Sequence, residues 1–174
     1  MEAESARFRS QAIECPNDIS LWTKLQTVSQ IMLAAMREGR VPSALEEICS
    51  NLLACEQFAI VEIARATGRV QFRKAHCDPS EMSAAIAERG KLLESQIGLS
   101  TPRITTDKSD KSPEELSRMG ISVLVPLWSD ETSSAAMLLF QLLPQHSGFD
   151  TEQREILQFL STHAGPCLRS PIRG

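Results

Sequence analysis

The chain has 174 residues, enough for one domain with a sizeable core, and its 42% hydrophobic content excludes a disordered polymer. A net charge of −4, with acids and bases mixed along the chain and no basic stripe, argues against direct binding of nucleic acid. The longest apolar runs, Ile121–Trp128 and Ala135–Leu143, are too short to span a bilayer, and the acidic start Met1-Glu2-Ala3-Glu4 is unlike a secretory signal.

Residues 1–17 lack periodicity and read as a loose tail, leaving a domain over 18–169 and a short C-terminal tail at 170–174. A helix is predicted from Asp18, because Leu21, Leu25, Val28, Met32 and Ala35 recur at helical spacing, widened by Trp22 and Ile31. Gly39 ends it. A second helix follows, with Pro42 in its first turn, Ser43 and Glu46 as a capping box, and Leu45, Ile48, Leu52 and Cys55 on one face. Gln57–Arg65 and Val70–Ala75 read as strands of a hairpin turned at Thr67-Gly68. Pro79 to Ile97 is helical in pattern, weakened at Gly90. Residues 100–120 are polar and broken by Pro102 and Gly120; Arg103–Thr106 reads as a short strand and Pro113–Met119 as a short helix starting at Ser112. Asp107–Ser112 is expected to be the most mobile segment. Ile121–Trp128 and Ala135–Leu143 carry apolar residues on both faces, as strands covered on two sides do. Asp150 with Gln153 opens the last helix, whose stripe runs through Ile156, Leu157, Phe159, Leu160, His163, Ala164, Cys167 and Leu168; Gly165-Pro166 is expected to kink or fray its end. Terminal helices around a mainly antiparallel sheet make this an α+β domain.

This order, together with Met119-Gly120-Ile121-Ser122-Val123-Leu124-Val125-Pro126-Leu127 and Phe149-Asp150 leading into Glu152–Leu157, resembles the GAF domain family over roughly residues 18–169. The proline is expected at an edge or a bulge, where its missing N–H is tolerated. The resemblance implies a central antiparallel sheet of five to six strands, terminal helices on one face and a helical or loop crossover on the other. It implies a regulatory role without enzymatic activity, as a small-ligand sensor, a dimerising adaptor or both, with output through a partner protein. Its ligand pocket would lie between the sheet and the crossover, with Phe58, Ile60, His76, Arg103, Thr105, Val123 and Val125 as candidate lining and Arg103 as an anion anchor. Pairing of two copies through the terminal helices would bury Leu21, Leu25, Val28, Met32, Ile156, Phe159 and His163. The Asn-Lys…Phe…Asp-Glu constellation of cyclic-nucleotide-binding members is missing, no cysteine matches the bilin attachment of phytochrome-type members, and Ala135-Ala136 stand where the family usually has a glycine.

Five cysteines without paired spacing (Cys15, Cys49, Cys55, Cys77, Cys167) fit a reducing cytoplasm. Phosphate-loop, nucleophile-elbow and HExxH motifs are absent. One enzymatic alternative within the resembled family is reduction of free methionine-(R)-sulfoxide, which needs an attacking thiolate, here Cys77, and a resolving thiol. His163 and Cys167, four apart on one helix, with His76-Cys77-Asp78 elsewhere, form the strongest metal candidate. Two ligands on an apolar stripe fall short of a zinc site, so no metal and no cofactor are expected.

Overall fold

The computed structural model describes residues 16–76, 84–105, 114–142 and 148–169. Its elements are α1 (Pro16–Glu38), α2 (Val41–Leu52), β1 (Cys55–Ala64), β2 (Val70–His76), α3 (Gly90–Ile97), β3 (Arg103–Ile104), α4 (Glu114–Arg118), β4 (Val123–Ser129), β5 (Ser133–Leu142) and α5 (Thr151–Arg169). The strands form one five-stranded sheet in the order β2-β1-β5-β4-β3, and every adjacent pair is antiparallel. The expected α+β architecture is therefore present.

Alternation along β1 sorts the core into two layers. Phe58 and Ile60 join Val123, Val125, Met137 and Leu139 under α1, α2 and α5. Ala59, Val61 and Ile63 join Leu124, Ala136 and Leu138 under α3, α4 and the helical turn at 84–87. Both faces of the sheet are thus covered, which explains why β4 and β5 read as continuous apolar runs.

Two register shifts redirect side chains towards the terminal helices. In the β1–β2 pairing Ile60 faces Lys74 and Val61 faces Phe72, so Arg73 is the extra residue of a bulge. In the β4–β5 pairing Pro126 faces Ala136 and Trp128 faces Ala135, so Leu127 is the extra residue. Pro126 sits beside that bulge, and on its outer side β3 has already ended, since β3 pairs only with Val123 and Leu124. That placement is the one its missing N–H requires.

Helix ends depart from the expectations in informative ways. Gly39 takes φ 71 and closes α1. α2 starts at Val41, with Arg40 as an N-cap that makes no side-chain cap bond, so Ser43 falls inside the helix. Glu46 pairs with Lys74 of the bulge rather than completing a capping box. Cys55 opens β1 instead of closing the face of α2. At the start of α5 the capping box does form: Gln153 N–H donates to Asp150 Oδ1 at 2.7 Å and Asp150 N–H donates to Gln153 Oε1 at 3.1 Å. α5 continues through Pro166 to Arg169 rather than fraying there. Cys15, Cys77 and Asp78, the segment Asp107–Ser112, residues 1–15 and the tail at 170–174 lie outside the described residues, while residues 16 and 17 of the expected N-terminal tail belong to α1.

Candidate functional site

α1 carries an apolar stripe and, beside it, an uncharged one. The first, Leu21, Leu25, Val28, Met32 and Ala35, faces inward; Val28 and Met32 are fully or nearly buried, at 0% and 4% exposure. The second, Ile19, Trp22, Gln26, Ser29, Leu33 and Met36, repeats at steps of three and four on the adjoining face. Ile19, Trp22 and Leu33 on this stripe are exposed at 68%, 75% and 55%. From Leu25 to Met36 there is no Asp, Glu, Lys or Arg, although 23% of the chain is charged.

α5 lies beside α1 and runs parallel to it. Lys24 pairs with Glu152 at one end, and Met36 shares a crevice wall with Cys167 and Leu168 at the other. Its segment from Ile156 to Leu168 is likewise free of Asp, Glu, Lys and Arg. Ile156, Leu157 and Leu160 are buried against the sheet, Phe159 is half-buried, and His163 is exposed with its ring centroid 4.3 Å from that of Phe159. The two helices together present an outer surface that is free of charge from Leu25 to Met36 and from Ile156 to Leu168.

The structure corrects the residues expected to pair two copies. Val28, Met32 and Ile156 are spent in their own core and have no surface to share. Leu21, Leu25 and Phe159 are half-buried at the boundary, and His163 remains outside. The physical reason is the demand of the sheet: its helix-facing residues need cover, and the best helical stripe is consumed in giving it. The outer residues Ile19, Trp22 and Leu33 were legible as a second three-four repeat beside the first.

The residues expected to line a pocket under the crossover do not converge. Phe58, Ile60, Val123 and Val125 face the terminal helices, on the opposite side of the sheet. His76 ends β2 opposite Phe58 in the register. Arg103 is half-buried on the short edge strand, opposite Leu124 of the crossover layer. Thr105 donates its hydroxyl to the carbonyls of Ile121 and Ser122 at 2.7 and 3.1 Å, a structural tie. The difference is one of parity: along a strand, successive residues alternate faces, and Ala59, Val61 and Leu124, not Phe58, Ile60, Val123 and Val125, face the crossover side.

Among the described cysteines, Cys49 and Cys55 are fully buried and Cys167 half-buried. Burial pushes the Cys49 thiol far up, and burial also raises Cys167, so neither is a ready thiolate. Cys167 Sγ donates to the His163 carbonyl at 3.1 Å. Among the described residues no group of three or more His, Cys, Asp or Glu is placed to hold a metal ion. No described helix is long and apolar enough to cross a membrane.

No family model and no curated protein matches the chain. Among solved structures it is similar to the GAF domain of a protein described as a sensor histidine kinase from Pseudomonas syringae pv. tomato. The TM-score is 0.50 and the identity 19%, with 94% of this chain and 91% of that chain covered. A likeness spanning nearly the whole of both chains, with the sheet order and two-sided cover described above, identifies the fold as GAF-like.

Proposed function

We propose that this chain is a non-enzymatic regulatory module that works by pairing with a second copy through the outer stripe of α1, and that its output passes to a partner protein. The observation that carries this reading is the exposed outer stripe of α1 bearing Ile19, Trp22 and Leu33, free of charge from Leu25 to Met36, with the charge-free run of α5 beside it. Interface cores are depleted in charge and enriched in tryptophan and other large apolar groups. A three-four repeat also suits a helix that packs against its own two-fold mate. A ligand held under the crossover is the weaker reading, because Val61, Ile63, Leu93, Leu116, Leu124 and Leu138 fill that layer.

Light scattering coupled to gel filtration tests the reading. Leu33→Glu, on the stripe, is expected to convert a dimer to a monomer without changing the fold. Leu99→Glu, at another exposed apolar position outside the stripe, is expected to leave it paired. A dimer indifferent to Leu33→Glu, or a wild-type monomer, would overturn the proposal.

A further inference from the structure

The geometry points to a binding cleft for a small apolar carboxylate at the junction of α1, α2, α5 and the β1–β2 hairpin, with Arg73 as its anion anchor. This goes beyond pairing and stands whether or not the chain pairs. Two depressions meet there. One is an apolar crevice of about 290 Å³, walled by Met36, Val41, Pro42, Leu168 and Cys167 and floored by the fully buried Ile60. The other is a polar depression of about 650 Å³ on the uncovered end of the sheet, walled by Glu62, Arg69, Gln71 and Thr132. Arg73 lines both.

Arg73 stands there because of the bulge. Strict alternation would send Arg73 and Lys74 to opposite faces; as the extra residue, Arg73 shares the helix side with Lys74. Lys74 is committed to Glu46 of α2. Arg73 gives Nε to Glu62 at 2.6 Å and an Nη2 donor to the same carboxylate at 2.5 Å. A guanidinium carries five donors, so the fork retains capacity for a second carboxylate. Its other side lies over the Trp128 ring, 5.8 Å from the centroid, which limits its freedom.

Charge and polarity then select the ligand. Arg69 and Arg73 against Glu62 leave a local balance of +1 on a chain of net charge −4, so the polar end favours an anion. Among the described residues that line the apolar end, Arg73 alone is charged. Burial keeps the Cys167 thiol protonated, and its S–H is spent on the His163 carbonyl. A carboxylate on Arg73 with an aliphatic tail over Ile60 satisfies both halves at once.

Titration of the isotope-labelled full chain with sodium octanoate, followed by amide chemical shifts, tests the cleft. The expected result is shifts centred on Val41, Ile60, Arg73, Cys167 and Leu168. Hexanoate, two methylenes shorter, should bind at least about tenfold more weakly, since each buried methylene adds about fourfold. Octan-1-ol and Arg73→Gln should each lose about tenfold or more, and Cys167→Phe should block the crevice while the spectrum stays dispersed. The monomerising Leu33→Glu variant should bind octanoate as the wild type does, which separates this cleft from the pairing surface. Absence of shifts at millimolar octanoate, shifts centred on Val61, Leu93 and Leu138 instead, or equal affinity in Arg73→Gln would each overturn it.

Discussion

Gly165 lies so close to β4 that a Cβ built on it would stand 1.9 Å from the Leu127 carbonyl oxygen. Gly90 stands in the same relation to the Gly68 carbonyl, also at 1.9 Å. Backbone atoms on both sides leave little room to yield, so Gly165→Ala and Gly90→Ala should each cost at least about 2 kcal/mol. Gly148→Ala is the control, with nothing within 4 Å of its added methyl, and thermal melts of the three variants decide the matter. Asp130 offers a second test at this scale. The backbone N–H groups of Ser133 and Thr132, the Thr132 hydroxyl and the Arg169 guanidinium hold its carboxyl down to about 2. A folded value below the unfolded one of ~3.9 means that the contribution is present above about pH 4 and is lost as pH falls through 2. The deficit of Asp130→Asn in melting temperature should therefore be full at pH 7 and shrink towards zero between pH 4 and pH 2. A deficit constant across that window would contradict the role given to the charge.

At the scale of elements, what was legible in the sequence followed from how many residues voted for each feature. The terminal helices, the hairpin and the two long strands each rest on long periodic runs, and all stand close to where periodicity places them. The Asp150–Gln153 capping box was legible because α5 begins where its apolar stripe does. The Ser43–Glu46 box was not, since the N-cap of α2 is Arg40, three residues before Ser43, and Glu46 is claimed by Lys74 of the strand beneath it, a contact with no local trace. The candidate pocket suffered from the same limit. Face assignment in a strand turns on a single step of parity, and the crossover residues that fix it are far away in sequence. The bulges at Arg73 and Leu127 depend on pairing with another strand, so nothing in VQFRKAH announces that Arg73 and Lys74 share a face. α1 shows the reverse case. Its two stripes were both written in the spacing, but which of them the fold consumes depends on the sheet beneath. Swapping the fully buried Val28 for Ala should thus lower stability by about 1–3 kcal/mol and leave pairing intact, whereas Trp22→Ser should weaken pairing and leave the melting temperature of the monomer unchanged. Sedimentation and thermal melts on the same two variants separate the roles.

For the whole molecule, the sheet divides the labour. One side is sealed by α3, α4 and the turn at 84–87 over a filled apolar layer. The other carries three helices whose inner stripes complete the core and whose outer surface holds its exposed tryptophan at position 22. The cleft at Arg73 opens at the C-terminal end of that same helical layer, where Met36 of α1 and Leu168 of α5 meet it. Surface and cleft are thus carried by the same helices. The measurement that tests the central claim most directly is native mass spectrometry of the unmodified chain at micromolar concentration. The account predicts a dominant species at twice the 19.2 kDa chain mass, dissociating to single chains on activation. A single-chain mass throughout the micromolar range would contradict it.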